Sequence, residues 1–163
     1  HYIKTTAPEE LAQSLEPFLI SSGILKEGHG LDFAEIARVI PSLNQRAKTL
    51  IEMAEKSAFY FKKEVEFDEK AKTKFLTAEA RPLLEKVIAG LSELQNFSAE
   101  EIESLFKKIV EEEGMKLGKL AQPVRVALTG TTVSPGIYDV ILLLGKEETL
   151  ARLKQALPER PGL

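Results

Sequence analysis

The sequence predicts an all-α protein of stacked short helices in two packed helical subdomains. Capping boxes recur along the chain, each a Ser, Thr or Asp followed three residues on by Glu or Gln. Behind each box the apolar residues return every three or four positions, the period of a helix with one buried side. Glycine and proline punctuate the ends of these runs.

Thr6-Ala7-Pro8-Glu9 is the first box, with proline just inside the helix. That helix carries Leu11, Leu15, Phe18 and Leu19 on one side and ends near Gly23. KEGHG, Lys26–Gly30, reads as a turn. Asp32-Phe33-Ala34-Glu35 opens a short helix that Pro41 should terminate. Ser42 with Gln45 starts a longer helix, whose stripe is Leu43, Ala47, Leu50, Ile51, Ala54, Ala58 and Phe61. The pattern breaks at Glu64–Asp68, which places the subdomain boundary at residue 66, giving 1–66 and 67–163.

Thr77–Leu94 continues as helix, with Arg81-Pro82 in its first turn and a stripe of Leu83, Leu84, Val87, Ile88 and Leu91. Ser98-Ala99-Glu100-Glu101 caps a helix bearing Ile102, Leu105, Phe106, Ile109 and Val110, which Gly114 stops. Val124–Leu128 is two-valued. VRVAL alternates like a strand, while Leu117, Leu120, Val124 and Leu128 keep helical spacing. Pro123 fits the first turn of a helix or an edge strand. Helix is adopted because the rest of the chain is helical. Ile137–Leu144 has the same ambiguity, Lys146–Leu157 is a final short helix, and the tail should fray.

Composition narrows the function. An apolar fraction of 44% supports a core, and no run approaches the length of a transmembrane helix. There is no cysteine, which fits a reducing, cytoplasmic setting. HYIKTTAPEE lacks a signal-peptide pattern and an initiating Met, as expected of a processed chain or a fragment. The net charge is −3, but unevenly spread. Residues 1–113 hold 15 Lys/Arg against 21 Asp/Glu (−6), and residues 114–163 hold 7 against 4 (+3). An RNA partner would prefer the second part.

No catalytic constellation stands out. The two histidines, His1 and His29, are far apart, and His29 sits between glycines that supply no orienting group. There is no phosphate-binding glycine loop and no nucleophile elbow. Glu111-Glu112-Glu113 reads as a solvated helix end, because three adjacent residues point in different directions.

The cations are more informative. Arg125 stands inside an apolar stretch, and Ser134-Pro135-Gly136 follows nine residues later. In the bland reading Arg125 snorkels or pairs with Asp139. In the sharper one it faces a pocket for an unstacked RNA base. Pro135 would then offer a flat surface, Gly136 a close backbone approach and Ser134 hydrogen bonds. Tyr138 is a stacking candidate that serves the core equally well. Arg46, on SLNQRAKTL, is the second candidate, beside Gln45 and Lys48 near a helix N-terminus that could meet phosphate.

These words resemble a family. VRVALTG (Val124–Gly130), then Pro135-Gly136 and LLLGKE (Leu142–Glu147), resembles the C-terminal anticodon-binding region of bacterial glutamyl-tRNA synthetases, class I glutamate–tRNA ligases. Ser42–Leu50 resembles the family's arginine-bearing helix, and His1-Tyr2-Ile3-Lys4 the segment after its catalytic region. The resemblance implies an α-helix cage and a glutamate-specific tRNA as partner, with a monomer and no membrane expected. It implies a parent that uses ATP and magnesium to join glutamate to tRNA. The two ATP-binding signatures of class I enzymes are missing here, so the fragment should hold no cofactor and no catalytic residue. Arg46 matches the arginine reading the third anticodon base, and Arg125 one near the first. Ser134 and Pro135 match the turn against the first two, where the family often has Thr for Ser134. An aromatic residue a few positions before the arginine has no counterpart in Ala121-Gln122-Pro123.

Three hypotheses follow. The chain is the anticodon-recognition region of a glutamate–tRNA ligase, or a helical scaffold whose acidic residues 1–113 meet a basic protein. The third is a regulatory homologue without ligase activity.

Overall fold

A computed structural model describes residues 7–43, 47–62 and 64–158. The described residues form helices and connecting turns, without strands. The chain divides into two compact units, His1–Glu64 and Val65–Leu163.

The first unit contains α1 (Pro8–Ser21), α2 (Phe33–Ala37), α3 (Ile40–Leu43) and α4 (Leu50–Phe61). Leu11, Ala12, Leu15 and Leu19 are the buried side of α1, on which α2, α3 and α4 pack. The N-cap of α1 is Ala7, one residue after the expected Thr6, which lies outside the described residues. Asp32 caps α2 as predicted, accepting the Glu35 N–H at 2.8 Å. Pro41 does not terminate that helix. Ala37 is its last residue, and Pro41 lies in the first turn of α3, where its missing N–H leaves no bond unmade.

The long helix begins later than Ser42. Thr49 is its N-cap, accepting the Glu52 N–H at 3.1 Å, while Glu52 reaches back to the Lys48 N–H at 3.2 Å. The box Thr49-Leu50-Ile51-Glu52 thus caps the long helix, and Gln45 of the expected box lies outside the described residues. The buried side becomes Met53, Ala54 and Ser57, and Ile51 is 57% exposed. His29 also departs from expectation. Its Nδ1 accepts the Leu31 N–H at 2.9 Å, so its Nε2 carries the proton and donates to Glu16 at 3.0 Å. The orienting group comes from α1, thirteen residues away.

The second unit contains α5 (Glu69–Phe75), a 3-10 turn (Ala78–Ala80), α6 (Arg81–Glu93), α7 (Ala99–Glu113), α8 (Leu117–Thr129) and α9 (Ile137–Gln155). Val124–Leu128 is helix. Pro123 is internal to α8 rather than in its first turn or in a strand. Gly118 and Lys119, one turn before it, are exposed, so water can serve the carbonyl that proline leaves without a donor. α8 is buried nearly all round, through Leu120, Ala121, Val124, Val126, Ala127 and Leu128. A helix apolar on most sides belongs at the centre, and α5, α6, α7 and α9 all pack against it.

The ends of these helices follow sequence signals. Ser98 caps α7 by accepting the Glu101 N–H at 3.3 Å, and Gly114 stops it in the left-handed region at φ 64°. Gly145, at φ 83° and ψ 165°, interrupts α9 between Leu144 and Lys146. Gly130 ends α8 at φ 83°. Its carbonyl accepts the Asp68 N–H at 2.8 Å, so the segment before α5 crosses the end of α8. A Cβ on Gly130 would stand 1.9 Å from the Glu66 carbonyl oxygen.

Candidate nucleic-acid interface

Arg125 sits on the side of α8 that is not closed by its neighbours, one turn after Gln122. Residues three apart share a helix face, so the two side chains meet. Arg125 Nη1 donates to Gln122 Oε1 at 3.1 Å. Its Nε donates to Ser134 Oγ at 2.8 Å. The Ser134 hydroxyl in turn donates to the Pro135 carbonyl at 2.7 Å. The guanidinium is therefore gripped from its own helix and from the loop after it, and it stays half-buried at the rim. A planar fork held at two points is pre-organised, which lowers the entropy lost when it meets a ligand.

The loop 130–136 is shaped by hydroxyls. Thr129 Oγ1 donates to the Arg125 carbonyl at 2.8 Å and accepts the Thr131 N–H at 3.3 Å. Thr131 Oγ1 donates to the Val133 carbonyl at 2.8 Å and accepts the Val133 N–H at 3.3 Å. These short-range bonds replace secondary structure. They fix Val133 with its side chain outward, 69% exposed.

The structure brings together Arg125, Ser134, Pro135 and Gly136, but changes their parts. Pro135 is buried, so its ring is not the flat surface expected of it. Ser134 is 9% exposed, and its hydroxyl already serves Arg125 and the Pro135 carbonyl. It positions the arginine instead of offering itself to a base. Gly136 is half-buried at φ −50° and ψ 144°, ordinary extended backbone, and it is the N-cap of α9. Tyr138 packs against α7. Its ring meets the fully buried Phe106 edge to face at 5.5 Å between centroids, which gives it a packing part rather than a stacking one. Its hydroxyl is buried without a hydrogen-bond partner. Burial, then the Glu103 charge, raises its pKa above 10.0. Arg46, with Gln45, lies outside the described residues; α4 starts only at Leu50, so Lys48 precedes the helix.

Sequence reading passed over Gln122 and Val133. Gln122 had a legible signal, since it stands one helical turn before Arg125. Val133 had none, because its exposure depends on the Thr131 hydroxyl closing the loop around it. Beside the loop lies a groove of about 350 Å³ lined by Asp68, Lys70, Ala71, Lys74, Phe75, Gln122 and Thr132. Among the described residues, no group of three or more His, Asp or Glu side chains gathers to hold a metal, and no helix is long and apolar enough to cross a membrane.

The sequence pattern of the family described as the anticodon binding domain matches residues 10–157. The chain is 48% identical over 156 residues to a glutamate–tRNA ligase of Thermodesulfovibrio yellowstonii, covering 96% of this chain and 34% of that protein. It is 46% identical over 157 residues to that of Geotalea uraniireducens, covering 96% and 33%. It therefore spans about a third of the length of these curated relatives. The crystal structure of a glutamate tRNA ligase from Elizabethkingia meningosepticum superposes with a TM-score of 0.79 at 25% identity, over 95% of this chain and 30% of that one. These likenesses favour the RNA reading over the scaffold reading. The chain belongs to the anticodon binding domain family.

Proposed function

We propose that this chain recognises the anticodon of a glutamate-specific tRNA, as the C-terminal region of a glutamate–tRNA ligase. One observation carries the reading: the Arg125 guanidinium is held at a half-buried rim by Ser134 and Gln122, beside the outward Val133. RNA sequence is read on unstacked loop bases, which need edge donors and an apolar surface. Arg125 supplies the donors. Val133 supplies the apolar contact that Pro135, being buried, does not. Ser134, Pro135 and Gly136 form the corner that sets both in place. Arg46 remains a proposed second reader.

The chain divides functionally, in this reading, into 1–66 following the catalytic region and 67–163 carrying the anticodon site. ATP, magnesium and glutamate belong to the part of the ligase outside this chain. The protein acts in the cytoplasm as a monomer.

Arg125→Ala tests this reading. Filter binding of an anticodon stem–loop at fixed salt should show weaker binding of the glutamate sequence and reduced discrimination against one changed anticodon base. The expected loss is about 1–3 kcal/mol, a scale taken from base contacts in DNA recognition. Unchanged affinity together with unchanged discrimination rejects the reading.

A further inference from the structure

The groove next to the Arg125 cluster has a composition of its own. Its rim carries Lys70 and Lys74, both exposed and one turn apart on α5. Ala71 and Phe75 give it an apolar floor, and Lys74 Nζ stands 5.3 Å from the Phe75 ring centroid. Gln122 from α8 and Thr132 from the loop after it add to the lining. Asp68 also lines it, but its carboxylate caps α5 by accepting the Ala71 N–H at 3.0 Å.

Gln122 joins this groove to the arginine. A guanidinium has donors and no acceptor, so the atom that meets Arg125 must be the amide oxygen. The Gln122 amide orientation is thereby fixed, with its Nε2 donors set on the other side of the amide. Thr132 makes the same connection through the loop, since it lies between Thr131 and Val133. The groove and the base-reading corner are thus joined through Gln122 and Thr132, and the groove combines two cations, an amide and a hydroxyl with apolar lining.

We propose that this groove takes the sugar–phosphate strand flanking the base that Arg125 reads. The inference rests on the anticodon reading and adds a partner chemistry for α5. Lys70 and Lys74 meet phosphate oxygens, Phe75 and Ala71 lie under the ribose, and Gln122 and Thr132 donate across the strand. Phosphate contacts position a nucleic acid without reading its sequence, whereas base contacts specify. The two halves of the surface therefore separate in experiment.

The test is the double variant Lys70→Gln/Lys74→Gln, whose side chains are exposed, so folding is preserved. Binding of the glutamate anticodon stem–loop and of loops with single anticodon changes is titrated over a range of salt. The double variant should bind all loops more weakly by the same factor, on the order of tenfold at ~0.1 M salt. Its slope of log K against log salt should shrink by roughly 1.4, about 0.7 for each lost contact to a single strand. Discrimination between loops should stay at the wild-type value. An unchanged salt slope and affinity overturns the groove assignment while leaving Arg125 untouched. A wild-type chain that binds all loops alike, with the double variant still losing slope, overturns the base-reading site and supports the groove. Absence of binding by the wild-type chain overturns both.

Discussion

Arg125 and Tyr138 look alike in the sequence, each a polar tip in an apolar stretch, and the fold sends them opposite ways. Arg125 finds neutral oxygen acceptors on Gln122 and Ser134 that hold it at the rim. Tyr138 finds Phe106, and its hydroxyl is buried without a partner. An unsatisfied buried hydroxyl opposes folding, so Tyr138→Phe should be neutral or stabilising by up to ~1 kcal/mol in urea unfolding. It should leave RNA binding unchanged. The pH dependence follows from the raised pKa. The folded state holds the phenolic proton more tightly than the unfolded chain. The Tyr138 share of stability is therefore fully present below pH 10.0 and is lost as pH rises through the raised value. Tyr138→Phe should lack that share of the alkaline decline, which denaturation followed from neutral to alkaline pH would reveal.

At the scale of the element, helix ends decided more than helix faces. Ser98 and Asp32 were legible as caps because the box is a local pattern and its hydrogen bond is local too. The long helix starts later than expected because Ser42–Gln45 and Thr49–Glu52 both satisfy the pattern, and its N-cap bonds are made by Thr49 and Glu52. Thr49→Ala should cost ~1 kcal/mol, read as a lower urea midpoint with unchanged slope. Gly130 ends α8 under a constraint that a linear reading does not show. A left-handed residue at φ 83° is strained with any Cβ, and the Glu66 carbonyl occupies the space as well. Gly130→Ala should cost at least ~2 kcal/mol and, by moving the loop that carries Ser134, should also weaken RNA binding. Loss of stability with intact RNA affinity would detach that loop from the site.

For the whole chain, the charge count in the sequence overstates the basic surface. Residues 114–163 carry +3 by count, yet Arg152 is only 4% exposed. Its Nη1 donates to the Leu128 carbonyl at 2.8 Å, and its Nε donates to Glu148 at 2.7 Å. That arginine fastens the second half of α9 to the end of α8. Arg152→Met keeps most of the volume but strands the Leu128 carbonyl, at a cost of about 1–3 kcal/mol in chemical denaturation. What the second unit gains instead is the cationic rim of α5, contributed by residues that the acidic count of 1–113 had hidden.

Helix content outside the two-valued runs, most stop signals and the placing of Arg125 within an apolar stretch were legible in local composition and spacing. Periodicity and capping act over three or four residues, and a linear reading sees that range. The roles within the site were decided elsewhere. Pro135 turned inward, Val133 outward, Ser134 toward the arginine, and Lys70 and Lys74 came to share a groove with Gln122 and Thr132. Those outcomes depend on the loop folding back on α8 and on α5 packing against it. Contacts between residues fifty apart in sequence leave no periodic trace in the chain.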